Sequence, residues 1–200
     1  MLTSKAASRR QGLKQRLAKF PGLAELAGAT ADALATLLVP RTFEAGSFLL
    51  RAGQAAEWSF LIERGLVREF YLAEGGQEHV RAFVAEQGAT GSLLDLISKS
   101  PAVTWIQALE QTETLALRYA EFEELCDRAP DLQRFALRFS QQVYVRKARR
   151  EHDMLALSAR QRLVDWQREQ PGLDARIRRQ HLASYLGITP EHLSRLTTRK

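Results

Sequence analysis

The sequence predicts an α+β chain: a strand-rich unit over the first two thirds, then a long helix, then a pair of short helices. Three observations predict it. Glycines 46, 53, 65, 75 and 76 punctuate residues 41–117 into short apolar segments, the pattern of an antiparallel sandwich or barrel. From about residue 120 the apolar spacing changes from two to three and four, which is helical. Finally, the excess of positive charge lies at the end of the chain. Residues 141–200 hold 13 Lys/Arg against 6 Asp/Glu, a net of +7, whereas residues 1–140 hold 16 against 17. Such asymmetry points to a polyanionic partner, either nucleic acid or an acidic membrane surface.

Composition bounds the rest. Two hundred residues with 45% hydrophobic and 26% charged residues suffice for a sizeable core in one large domain or two small ones. No apolar run approaches the roughly 20 residues that span a bilayer. The single cysteine, Cys126, excludes an internal disulfide and any site built on several thiolates, and in FEELCDRAP it reads as a thiol on an apolar helix face. Together these predict a cytoplasmic protein.

Taken in order, residues 1–20 are basic and place Leu13, Leu17 and Phe20 on one helical stripe. A transit peptide shares that composition. The apolar positions continue through Leu23, Leu26, Leu34 and Leu38, however, which favours a leading helix packed on the next domain. The segments FLLRAG, SFLIERG, LVREFYLAEGG and HVRAFV then read as strands. AEGGQE is the strongest hairpin signal, since Gly75-Gly76 can take positive φ. TWIQALEQTETLALRYAEF continues the pattern, with Ile106, Ala108, Leu115 and Leu117 alternating about a polar turn.

Pro130-Asp131 starts a long helix that runs to about residue 153. Leu132, Ala136, Phe139 and Val143 form its apolar seam, and the seam turns charged at Arg146 and Arg150. Such a stripe packs on the barrel, on a symmetry mate, or on both. Ser158 is placed to N-cap ARQRLVDWQREQ, which Pro171-Gly172 ends. In RRQHLASYLGITPEHLSRLTTRK, Leu182, Ala183 and Leu186 make one apolar face, Gly187 breaks the helix, and Thr189-Pro190 starts another that buries Leu193 and Leu196. Two short helices about a glycine turn have the helix-turn-helix layout, and an ordinary αα-hairpin shares the same apolar frame. The solvent side of the second helix offers Glu191, His192, Ser194, Arg195, Thr198 and Arg199, types that bond base edges and phosphates.

This order resembles the cyclic-AMP-receptor/fumarate-nitrate-regulator (Crp/Fnr) family. The resemblance is carried by FEAGSFLLRAGQAAEWSFLIERGLVREFYLAEGGQEHV, by LALRYAEFEEL, and by QHLASYLGITPEHLSRL. It implies an N-terminal cyclic-nucleotide-binding-like barrel of jelly-roll type over residues 1–130, a dimerisation helix over 131–155 and a helix-turn-helix over 156–200. It also implies a homodimer through Leu132, Phe135, Phe139 and Val143, double-stranded DNA as partner, and RNA polymerase as a further candidate partner. By resemblance, Glu191 and Arg195 fall on the family's E-x-x-x-R reading face, with Thr189, His192 and Ser194 beside them. Arg178, Arg179, Gln180, Arg199 and Lys200 are placed for the phosphate backbone.

Two departures follow. The family's nucleotide cassette pairs a Gly-Glu with an Arg-Ser or Arg-Thr, and the matching positions here are Gly91-Ser92 and Ala102-Val103. With Leu93 and Thr104, these six residues form the candidate effector pocket, without the two charged groups that hold ribose and phosphate. A buried phosphate left unpaired costs several kcal/mol, so cyclic AMP is not the expected effector and its identity stays open. Also, only Thr197 to Lys200 follow the second helix, so no wing is evident; either the subfamily lacks one or the chain is a shortened piece.

Other chemistry is weakly represented. His79, His152, His181 and His192 show no metal-ligand spacing, and His79 reads as a surface strand residue. The iron–sulfur ligation of some family members needs several cysteines. No phosphate loop, nucleophile elbow or paired-carboxylate signature is present, so neither an enzyme nor a cofactor is expected. Trp58, Trp105 and Trp166 read as core or interface anchors. The competing reading is a ligand-sensing or protein-interaction barrel that has lost DNA binding, which a low-salt gel shift separates from the first. A membrane-surface role for the basic N-terminus lacks strong aromatic anchors.

Overall fold

The structure, a computed structural model, describes residues 2–198. Eight strands pair into two antiparallel four-stranded sheets. Val39–Phe43 (β1), Trp58–Arg64 (β3), Ala89–Thr90 (β6) and Thr112–Arg118 (β8) form the first, ordered β1-β8-β3-β6. Phe48–Leu50 (β2), Val67–Leu72 (β4), Glu78–Val84 (β5) and Trp105–Ala108 (β7) form the second, ordered β2-β7-β4-β5. The chain thus crosses between sheets at most connections. Leu50, Phe60, Ile62, Val67, Ile106 and Ala116, drawn from both sheets, close the core between them with Ala102 from the connection before β7. The hairpin at Gly75-Gly76 joins β4 to β5, with Gly76 at φ +79.

The expected alternation along β8 fails for a physical reason: Leu115, Ala116 and Leu117 are all buried. Ala116 faces the second sheet, while Leu115 and Leu117 face a helical layer on the other side. That layer consists of Leu2–Leu17 (α1), Gly28–Leu37 (α2), Tyr119–Cys126 (α4) and the start of Pro130–Ala156 (α5). A strand covered on both faces carries apolar residues in succession. Leu13, Leu17, Phe20, Leu23, Leu34 and Leu38 fill this layer, so the leading stripe is part of the core. Asp131, at the first turn of α5, accepts from the Ala27 N–H (2.8 Å) and the Thr30 hydroxyl (2.9 Å), tying α5 to the start of α2. Cys126 packs against the same layer, and burial pushes its thiol up to about 11.

Past α5 come Ala159–Glu169 (α6), a 3₁₀ turn at Leu173–Arg176, Arg179–Leu186 (α7) and Pro190–Thr198 (α8). The Ser158 hydroxyl accepts from the Gln161 N–H (3.3 Å), capping α6 as expected. Arg162 then reaches the carbonyls of Leu157 (2.6 Å) and Leu186 (3.1 Å), satisfying orphan groups beyond α5 and at the end of α7. Gly187 stops α7 at φ +67, and a Cβ there would stand 2.5 Å from Met154 Cε of α5. No helix of the described residues is long and apolar enough to cross a membrane.

Candidate nucleic-acid interface and sensor cassette

The short-helix pair is held by its buried face. Leu182, Ala183, Leu186 and Leu193 are buried together with Leu163, Trp166, Leu173 and Ile177, and Leu196 packs partly against them. Ala183 has no exposed surface, which lets α8 cross close to α7. The Thr189 hydroxyl accepts from the His192 N–H (3.2 Å), capping α8. Glu191, Ser194, Arg195 and Thr198 are exposed on one side of α8, and His192 is half-buried. A hydrogen bond from its own backbone and one from Thr189 hold the Glu191 carboxyl below the usual range. Exposed Arg178 lies just before α7. The Arg179 guanidinium donates to the Thr197 hydroxyl (2.9 Å), bracing α7 on the end of α8, and the Gln180 amide lies 3.4 Å from the His181 ring. Arg199 and Lys200 lie outside the described residues.

The cassette positions surround Leu93–Ser98 (α3). Gly91 sits at φ +143, and a Cβ there would approach the Trp58 carbonyl to 3.1 Å, so β3 passes too close for a side chain. Ser92 and Thr104 are buried and share a hydrogen bond of 2.9 Å. Ala102 lies in the core between the sheets, pinned to the β2–β3 connection by bonds with Gln54 (2.8 Å) and Gly53 (2.7 Å). Val103 is exposed, Leu93 half-buried, and the Val103 N–H donates to buried Asp95 (3.1 Å). None of the six residues carries a charge.

Sequence reasoning missed a charged cluster in the same domain. Glu69 is buried on β4, accepts from the Thr90 hydroxyl (2.7 Å) and pairs with Arg81 (3.0 Å). Arg81 also donates to the Tyr71 hydroxyl (2.8 Å). A register shift between Glu69 and Phe70 breaks the strand alternation that would have placed these side chains. Arg81, the cation near Asp95, is therefore already committed to a carboxylate.

The predicted partner-facing seam of α5 begins against the chain's own N-terminal layer. Leu132 is fully buried within its own chain, packed with α1, α2 and α4. Phe135 packs on the same layer and stacks on Phe139 (6.1 Å between centroids), and a Cβ on Gly22 would stand 3.1 Å from its ring. Val143 is half-buried. The N-terminal helices claim the start of this seam because they too must bury an apolar stripe. The large apolar side chains α5 leaves exposed are Leu137, Tyr144, Val145, Met154 and Leu155. Arg150, where the seam turns charged, donates to the carbonyls of Val80 (3.2 Å) and Tyr185 (2.7 Å) and lies 3.9 Å over the Tyr185 ring.

Two sheets enclosing a core, with α3 at their flank and a long helix leading on, have the layout of a cyclic-nucleotide-binding-type domain followed by a helical unit. The family model described as "Cyclic nucleotide-binding domain" matches residues 40–129. The transcriptional activator protein Anr of Pseudomonas protegens is 27% identical over 172 residues, covering 80% of this chain and 69% of that protein. Among solved structures, FixK2 from Bradyrhizobium japonicum superposes with a TM-score of 0.72 at 16% identity, over 81% of this chain and 83% of that one. The c-di-GMP-responsive global regulator CLP of Xanthomonas campestris gives 0.69 at 17%, over 86% and 91%. Over these stretches the chain is similar to a cyclic nucleotide-binding domain and to the transcriptional activator proteins Anr and FnrA.

Proposed function

We propose that this protein is a homodimeric, sequence-specific DNA-binding transcription regulator whose two-sheet domain senses an effector other than cyclic AMP. The observation that carries the reading is the α7–α8 pair: a glycine turn at Gly187, a capped second helix, and an unobstructed polar face bearing Glu191, Ser194 and Arg195. This is a helix-turn-helix with α8 as its reading helix. Arg195 donates to guanine O6 and N7, and Glu191, one turn earlier, accepts from a cytosine amino group. Thr189, His192 and Ser194 flank them. Arg178, with Arg179, Gln180, Arg199 and Lys200, meets phosphates. Residues 1–130 form the sensor, a jelly roll in which strands cross between sheets, 131–155 the dimerisation helix and 156–200 the reading head. The protein is not an enzyme.

The dimer forms through the face of α5 that its own chain leaves open. Leu137, Gln141, Tyr144, Ala148 and Leu155 follow coiled-coil spacing along it, and Leu137, Tyr144 and Leu155 are exposed. In the sensor, Gly91, Ser92, Leu93, Ala102, Val103 and Thr104 supply no cation for a cyclic phosphate, and buried Glu69 and Asp95 oppose one. Cyclic AMP should therefore bind no tighter than about millimolar, roughly 4 kcal/mol. A micromolar calorimetric isotherm would contradict this.

Selection from randomised duplexes tests the reading. The wild type should return a two-fold symmetric site. Arg195→Ala should cost about 1–3 kcal/mol on it and flatten one base pair per half-site, while Arg178→Ala should weaken all sequences alike and lower the salt slope by about one. An unchanged logo for Arg195→Ala removes Arg195 from the reading face, and no enriched sequence for the wild type overturns the function.

A further inference from the structure

The reading head is attached by more than α5. β5 is an edge strand, and an open edge exposes unpaired backbone groups. Ser184 of α7 covers it: its hydroxyl accepts from the Val80 N–H (3.0 Å) and donates to the Glu78 carbonyl (2.7 Å). Arg150 adds its bonds to Val80 and Tyr185, so α5, α7 and β5 meet at one point. Some distance along, Arg176 makes a bidentate pair with Glu86, after β5 (2.8 and 2.9 Å), and a second pair with Glu110, after β7 (2.5 Å). Glu86 is itself fixed by the Gly65 N–H (2.9 Å). Between these two fastenings the cores merge. Leu66, from the turn between β3 and β4, has no exposed surface and lies in the same cluster as Leu163, Trp166 and Leu186. Phe83 of β5 meets both Trp166 (6.3 Å) and Tyr185 (5.5 Å).

We infer that Arg176, with Glu86 and Glu110, is a positioning latch through which the second sheet sets the orientation of α7 and α8 directly, beside the route along α5. The inference rests on the DNA-reading function proposed above. The latch leaves the exposed face of α8 uncovered, so its closed form is the reading-competent one. Opening it frees the head to sample other orientations and lowers the fraction competent to bind. The charged groups are about a third exposed, so the latch weakens with salt while the Leu66 contact does not.

Hydrogen–deuterium exchange on the full-length chain, with duplex affinity measured in parallel, tests this. Arg176→Glu should speed exchange in residues 78–84 and 179–186 while leaving β3 and β8 protected, and should weaken binding to the selected duplex about tenfold. The triple variant Arg176→Glu, Glu86→Arg, Glu110→Arg should restore both, a rescue that general destabilisation would not give. Unchanged exchange in those segments overturns the latch. Faster exchange with unchanged or tighter binding overturns its positioning role, because the contact would then be neutral or inhibitory. If the wild type selects no duplex, the DNA-reading proposal fails on its own, and the exchange arm still decides whether the latch exists.

Discussion

At the scale of single residues, His181 shows best what a sequence withholds. It reads as one of four scattered histidines, yet it is buried where α7 meets the second sheet, and its Nδ1 has no hydrogen-bond partner. Burial first, and the Arg68 and Arg178 cations next to it, push its imidazole down to about 4 against the opposing pull of Glu78. The unfolded chain takes up this proton near pH 6.5 and the folded one only near 4, so stability is complete above 6.5 and drains away as the pH falls between them. By pH 5 the loss should reach about 1–2 kcal/mol. The Glu86 carboxyl, held down to about 2 by Arg176, stabilises above its ordinary pKa and is lost only below about pH 4.5, a separate window. Urea melts at pH 7.5 and 5 check this: His181→Gln should lose clearly less stability than wild type across the interval, and equal losses would discard the assignment. Gly187, by contrast, was legible, because a helix stop between two apolar faces has few other physical readings. Arg179 was half legible: its exposure was foreseen, its bond to Thr197 was not.

At the scale of elements, segments that bury one stripe are fully legible, whereas segments with two neighbours leave open which neighbour takes which residues. α6, α7 and α8 each bury one stripe, and their caps at Ser158 and Thr189 sit where the pattern placed them. β8 and α5 each have two partners. Periodicity gives the phase of an apolar stripe but not the identity of what covers it. On α5 the stripe containing Leu132 and Phe135 went to the N-terminal helices. A weaker row, containing Leu137, Tyr144 and Leu155 among polar residues, stays exposed and is the row proposed above for a second copy. Tyr144→Asp places an unpaired carboxylate in that row, so light scattering at micromolar concentration should shift from dimer to monomer mass with helical circular dichroism unchanged. Leu132→Asp should instead unfold the N-terminal layer. Dimers persisting in Tyr144→Asp would return the interface to another face of the helix.

At the scale of the whole molecule, the order of parts was legible because glycine spacing and apolar periodicity both change near residue 120 and the excess positive charge gathers beyond 140. The contact between the two-sheet domain and the C-terminal helices was not, because no local pattern announces that a turn leucine enters a core built by residues about a hundred positions away. Leu66 makes this consequential. A sensor and a head joined only by α5 would unfold as two units. A head sharing Leu66, Phe83, Ala85 and Leu109 with the second sheet should instead unfold with it in one transition. Leu66→Ala removes buried contacts on both sides at once and leaves a cavity between them, at a cost of about 2–5 kcal/mol. Differential calorimetry at low salt should therefore show one transition for the wild type. Leu66→Ala should show a lower midpoint with a shoulder, the head melting first because it loses a fully buried apolar anchor on the sheet side. Adding salt should widen that separation in the variant, where the Arg176 pairs carry a larger share of the hold on the head. Two resolved transitions in the wild type, the upper one unmoved by Leu66→Ala, would mean that the two units stand independently.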